Sequence, residues 1–510
     1  MMRTANAPLT SARCILRRAP ICQHRLLSTQ ETTSRKEGDI SSVFRSLSGG
    51  GDEPLPQRYA DIKQALARDK PALHASWDRL LARLREETEL IKALGSTSVP
   101  EIQFAHLDKP SAEFSQALRR RGVAVVRRVI PEDEARAYKD EVETYIAANP
   151  STKAYPQHDP QVFELYWSRA QLAARSHPNM LKAQKFLMSY YHSKNARSQC
   201  STTQPITYVD RLRIRQPGDA GFALGPHIDG GSVERWEENG YGKGHVYDKI
   251  FEGQWEKFDP WELSTRLDAN GDLYNGAGAC TMFRMYQGWL SMSHTAPKEG
   301  TLLVNPLFAL STAYILLRPF FTPTLPLTAS DKDGPSPEFL DPSNWKMEAP
   351  FSSVLQGAWP GLGQELTTTW HPHLDLLNTM VHVPRISPGD YVAWHCDTIH
   401  AVDSVHAGKN DSSVLYIPVC PTTKVNVDYA YQQRKHFLQG IPPPDFPGGQ
   451  GESEHIGRPS IATLKSVASE EGLRAAGFAP FDVKKAKSEG EATILSYANS
   501  VMGGLSSEIP

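Results

Sequence analysis

Paired cysteines are missing from this chain. Its six cysteines, Cys14, Cys22, Cys200, Cys280, Cys396 and Cys420, are scattered with no C-x-x-C spacing, which removes a zinc ribbon or dithiol redox centre and leaves an intracellular chain with buried thiols. An excess of one charge is missing too. Fifty-five Lys and Arg against 57 Asp and Glu leave a net charge of -2, and no basic block or aromatic-basic platform appears, so nucleic acid is not an expected partner. No apolar run has membrane length: Leu307 to Phe321 is broken by Ser311, Thr312 and Arg318 and, at about fifteen residues, reads as a buried helix or strand pair. Acidic residues are absent before Glu31, where Arg3, Arg13, Arg17, Arg18 and Arg25 lie among Ser and Thr. That composition predicts a mitochondrial presequence over residues 1–30, removed near Arg25-Leu26-Leu27-Ser28; the alternative is a disordered basic tail on a cytoplasmic protein. Without an uninterrupted apolar core, the same stretch is not a secretory signal.

With 510 residues and 40% hydrophobic content, the chain has enough apolar material for one large domain or two ordinary ones. Residues 31–56 are rich in Ser and Gly and read as a flexible linker. Residues 57–110 read as helical: Trp77, Leu80, Leu81, Leu84, Ile91 and Leu94 recur at helical spacing, with Gly95 placed to end the run. From Arg121 to Ile130 a β-branched run predicts a strand, and Pro131 with Glu132, Asp133 and Glu134 starts a helix. Leu212 and Ile214 then alternate with Arg211, Arg213 and Arg215, a strand with one apolar and one cationic face. The cationic face either lines a pocket for an anion or meets water. Further strands are expected over Cys280 to Leu290, Glu299 to Pro306 and Met380 to Pro418.

The chemistry concentrates in Gly225-Pro226-His227-Ile228-Asp229-Gly230-Gly231. On a strand, residues i and i+2 share a face, so His227 and Asp229 can reach one metal ion. A third donor would come from the run Ser387-Pro388-Gly389-Asp390 to Ala401, where His395 and His400 are both candidates; His406 reads as exposed, and His371 and His373 as structural. Two imidazoles and one carboxylate form the facial set that holds non-haem Fe(II) and leaves positions open. A bare His-x-Asp is weak. Joined to a Pro-Gly-Asp turn and a later His on a strand, it resembles the phytanoyl-CoA hydroxylase-like dioxygenases, and residues from about Arg120 to Tyr431 are similar to the YbiU-like family.

That resemblance implies an α+β chain with a mainly β core: a double-stranded β-helix (jelly-roll, cupin-like) with flanking helices over residues 111–440. It would carry a lid insertion at 231–278 and a loosely docked extension at 441–510. It implies His400 as the third ligand, with Trp394-His395 as a supporting wall. Fe(II), 2-oxoglutarate and molecular oxygen are the implied reactants, with a small-molecule substrate to be hydroxylated. The family's arginine about ten residues past the last ligand is absent here, where Lys409 and Ser413 stand instead. Arg213, Arg215 and Arg284 are the replacement cations to consider, with Trp289 beside them as a candidate co-substrate contact. The gap leaves two other readings: a cupin-like metal enzyme that uses no 2-oxoglutarate, and a non-catalytic jelly-roll that binds a small anion or protein. Oligomeric state is open.

Overall fold

The computed structural model of the chain describes Arg35, residues 42–48, 54–221, 223–326 and 334–503. The presequence expected over residues 1–30, and parts of the linker expected over 31–56, lie outside the described residues. Eight strands carry the core: β1 Leu212–Arg215, β2 His227–Ile228, β3 Tyr286–Ser291, β4 Leu302–Val304, β5 Val381–His382, β6 Tyr391–His395, β7 His400–Val402 and β8 Ser412–Tyr416. Strands β6, β3, β8 and β1 are consecutive neighbours in an eight-stranded sheet, while β2, β7, β4 and β5 are consecutive neighbours in a five-stranded sheet. All pairings among these eight are antiparallel. The chain thus crosses between the sheets repeatedly. Val123–Arg127 extends the larger sheet beside β6, and Gln364–Glu365 extends the smaller beside β2. The architecture is mixed α+β with two large, mainly antiparallel sheets.

Period-two alternation divides the larger sheet. Leu212, Ile214, Leu290, Tyr391, Ala393 and Leu415 face outer helices in one buried cluster, while Trp289, Val392 and Trp394 join the cluster on the side of the smaller sheet. The second cluster is sealed by two helices, α1 Lys70–Leu94 and α2 Ala309–Leu317. In α1 the spacing of Trp77, Leu80, Leu81, Leu84 and Ile91 buries one face as expected; Asp69 caps the start and Gly95 ends it at φ 51°. Trp77 stacks on Phe321 with ring centroids 4.5 Å apart. The apolar stretch after Leu307 is the buried helix α2, followed by a short strand at Phe321–Pro323.

Three stretches differ from their sequence reading. The strand expected from Cys280 begins only at Tyr286, because the preceding residues turn aside to meet neighbours: the Thr281 N–H donates to Asp445 at 2.9 Å. His406 is buried, its ring packed where a Cβ on Gly300 would stand. The C-terminal extension is tightly seated rather than loose. Helices α3 Lys424–Gln439 and α4 Glu489–Gly503 bury Val427, Ala430, Ile494, Leu495 and Ala498 against each other, because those apolar residues recur at helical spacing on facing surfaces. Among the described residues no helix is long and apolar enough to cross a membrane.

The extension also inserts Glu452, which is fully buried and accepts the N–H groups of Tyr166 at 2.6 Å and Trp167 at 2.7 Å. Burial pushes its pKa up to about 7 despite those bonds. Between pH 4.5, its ordinary value, and that raised value, the folded chain keeps a proton that the unfolded chain has released. Stability therefore falls as pH rises through this window, by about 3 kcal/mol in total. Glu452→Gln keeps a carbonyl acceptor without the titration, so urea denaturation at pH 5 and pH 8 is expected to show a smaller loss for the variant than for the parent.

Candidate metal centre

Strands β2 and β7 are neighbours in the smaller sheet, and their register sets His227 directly opposite His400. The imidazole centroids lie 4.1 Å apart. Asp229 follows one residue beyond β2, before Gly230 and Gly231 turn the chain away at φ 77° and 97°. Its carboxylate lies 3.7 Å from His227 Nε2 and 3.8 Å from His400 Nε2. The three residues offer ligand atoms all within 4.8 Å of one another.

The tautomers favour metal binding. His227 Nδ1 lies 2.7 Å from the Gly225 carbonyl and His400 Nδ1 lies 3.1 Å from that of Thr398; a carbonyl only accepts, so each Nδ1 carries the proton and each Nε2 presents its lone pair. Burial pushes the His400 pKa down to about 3, which keeps this ring neutral at physiological pH. Burial alone would raise Asp229, but His227, His400 and Arg284 outweigh it and hold the carboxyl below its ordinary range. Two neutral imidazoles and one carboxylate make a donor set of charge -1, suited to a divalent ion of intermediate softness. The residues present fit the metal that the motif implies.

His395 stands elsewhere. Its Nε2 lies 3.1 Å from the Pro260 carbonyl, its Nδ1 accepts the Asp397 N–H at 3.0 Å, and its ring stacks on Tyr191. With both nitrogens engaged and the ring in the aromatic wall, it leaves His400 to face the other two donors. His371 is likewise buried and His373 half-buried, both away from this cluster and both pushed down to about 3 by desolvation.

The donors open on a cavity of about 170 Å³ whose lining includes Tyr208, Arg211, Arg213, Arg284, Trp289 and Tyr416. Arg284 reaches Asp229 at 3.8 Å, and Arg211 pairs with Asp210 at 3.2 Å. Arg213 is buried, donates to Gln161 Oε1 at 2.7 Å and lies beside Tyr416. The cationic face of β1 thus looks inward at Arg213. Three other candidates do not reach the cavity. Arg215 is consumed: it ion-pairs with Asp219 and donates to the carbonyls of Asp403 at 2.6 Å and Ser404 at 3.1 Å. Ser413 has the wrong parity, since Ser412, Val414 and Tyr416 line the cavity while the Ser413 hydroxyl donates to Asp411 at 2.6 Å. Lys409 is exposed in the loop before β8.

Residues 53–478 match the Gig2-like family. The chain belongs to that family. It is 29% identical over 430 residues to the uncharacterized protein YbiU of Escherichia coli K12, covering 79% of this chain and 94% of that one. The expected resemblance to YbiU is therefore met. The crystal structure of GlcNAc Inducible Gene 2, GIG2, from Candida albicans superposes with a TM-score of 0.78 at 30% identity, over 89% of this chain and 96% of that chain. A Salmonella typhimurium LT2 protein provisionally called an oxidoreductase gives a TM-score of 0.69 at 29% identity, over 83% and 99% of the two chains.

Sequence reasoning missed what steadies this Gig2-like site. Asp397, in the turn that leads to His400, is buried and ion-paired with Arg266 at 2.5 Å and Arg235 at 3.5 Å; it also accepts the Tyr247 hydroxyl at 2.9 Å. Arg235 further donates to the Asp229 carbonyl at 3.0 Å. All three partners come from residues 231–278, the insertion expected as a lid, which buries Trp236, Tyr247, Ile250 and Trp261 in the body of the fold. Its three basic and phenolic side chains had no sequence signal beyond the insertion's aromatic content. Burial would raise Asp397, but Arg266, His395 and Arg235 hold it well below the carboxylate range. Its stabilisation is thus full above about pH 4 and is lost only as pH falls through the depressed folded value. Asp397→Ala is expected to cost about 3–5 kcal/mol in chemical denaturation at pH 7, because it strands two buried guanidiniums. The deficit should shrink in strong acid.

Proposed function

We propose that this protein is a non-haem Fe(II)- and 2-oxoglutarate-dependent oxygenase that hydroxylates a small molecule. The observation that carries the reading is the convergence of His227 Nε2, His400 Nε2 and the Asp229 carboxylate at a cavity lined by the guanidiniums of Arg211, Arg213 and Arg284. Strand order supports it. We read β1 to β8, four in each sheet, as the double-stranded β-helix on which phytanoyl-CoA hydroxylase-like enzymes carry such a triad. The provisional oxidoreductase from Salmonella agrees with the class.

Arg213 takes the place of the arginine missing after His400. Val414 of β8 pairs directly with Arg213 of β1, and both line the cavity, so a guanidinium enters beside the β8 position where relatives would supply one. Together with the Tyr416 hydroxyl, Arg213 can grip the distal carboxylate of 2-oxoglutarate by charge-assisted hydrogen bonds. His227, Asp229 and His400 would hold the iron(II), and the chemistry it would supply there is the oxygen activation that couples oxidative decarboxylation of 2-oxoglutarate to oxidation of a substrate C–H bond. The chain's own part is to orient both imidazoles through Gly225 and Thr398, keep Asp229 ionised, and wall the site from water with Trp289 and Trp394.

Anaerobic Fe(II) titration with 2-oxoglutarate is expected to give a weak visible charge-transfer band that needs both components and is lost in His227→Ala. Arg213→Met should weaken 2-oxoglutarate binding about 10- to 100-fold while leaving Fe(II) uptake intact, the cost of one charged hydrogen-bonding group. Iron uptake with no band in the parent protein would point instead to a metal enzyme that needs no 2-oxoglutarate. No iron uptake would overturn the proposal.

A further inference from the structure

The segment before the body of the fold touches the candidate site directly, and the role inferred for it rests on the metal reading above. Val43 and Phe44 lie in the stretch whose composition reads as a linker, and outside the residues 53–478 that match the family. Phe44 is only 3% exposed, with its ring edge-on to that of His227 at 4.9 Å between centroids. Its seat is built for it. A Cβ on Gly363 would come 2.4 Å from the Phe44 ring, and one on Gly278 would come 2.4 Å from a Val43 methyl, so the close approach requires glycine at both positions. The Gly363 N–H donates to the Val43 carbonyl at 2.8 Å, and the Ser46 N–H donates to the Glu365 carboxylate at 3.2 Å. Upstream, Arg35 is ion-paired with Asp272 at 2.7 Å and with buried Asp445 at 2.9 Å. Asp445 in turn accepts the hydroxyl of Tyr208, which lines the cavity.

The Phe44 ring borders two spaces at once. The main cavity of about 170 Å³ and a second of about 50 Å³ both include Phe44, Leu224 and His227 in their walls. We propose that Phe44, held by this strap, is a specificity-determining residue: it closes the space over His227 and limits the metal's ligands and substrates to compact aliphatic acids. Removing the ring joins the two spaces. A chelator bearing an aromatic arm would then find room that the parent protein denies it, because steric rejection by a packed ring needs no specific contact to the wrong ligand.

The test uses full-length protein loaded with Co(II), whose visible spectrum reports binding of 2-oxoglutarate and of a phenyl-substituted pyridine-2-carboxylate. Phe44→Ala is expected to tighten the aromatic chelator by about 10-fold or more and to change 2-oxoglutarate by less than about 3-fold, the scale of pocket-size discrimination. An unchanged ratio in Phe44→Ala overturns the proposal. If the parent protein takes up no Co(II), the metal reading fails, and the strap is judged separately by hydrogen exchange. Faster exchange at residues 225–228 and 363–365 in Phe44→Ala upholds the strap over His227, and unchanged exchange overturns it.

Discussion

The carboxylate of Asp397 is the point on which the site depends. It sits between β6 and β7, one residue before the Thr398 carbonyl that orients His400, and takes the charge of Arg266 and Arg235. In a buried setting such charges need hydrogen bonds beyond the ion pair, and Tyr247 and the Asp229 carbonyl supply two of them here. One buried cluster therefore holds together the turn that presents His400, the loop beyond Asp229 and the insertion between β2 and β3. The candidate donors come from distant parts of the chain, and their mutual distance is set by this ionic knot as much as by the sheet.

The sheet contributes the other constraint. Antiparallel pairing sets His227 opposite His400, and the same pairing logic sets Arg213 opposite Val414. In both cases the juxtaposition is a property of a cross-strand position rather than of a single stretch. Arg213 of β1 and Val414 of β8 thus border one cavity, since directly paired residues present side chains to the same space. That is why an expected arginine can be absent from its usual place in the chain while the cavity remains cationic.

Much of the local structure was legible from residue pattern. Helical spacing in α1, the Pro131 and acidic start of the next helix, and the inward pairing of His227 with Asp229 two residues on all derive from period and capping chemistry. The alternation in β1 placed Arg213 and Leu212 on opposite faces but could not say which face was wet. At β8 the sequence offered Ser413 by its place in the chain, but the loop before Ser412 decides whether even or odd residues look inward, and loop length in space is not written in the strand itself. Phe44 was invisible for another reason. A polar, glycine-rich neighbourhood reads as linker, and only Gly363 against its ring and Gly278 against the neighbouring Val43 give the segment a place in the folded chain.

The sequence by itself determined the ligand types, their strand spacing and the absence of a charge or cysteine pattern for other chemistries, because these depend on side-chain identity and on periodicity of two or 3.6. Tertiary structure alone decided that His400 rather than His395 faces Asp229, that Arg213 and not Arg215 looks into the cavity, and that residues 231–278 brace the site. Those outcomes depend on which charges meet across long loops and on which buried donors find acceptors. Such partners are chosen by packing in three dimensions, where chain distance carries no weight.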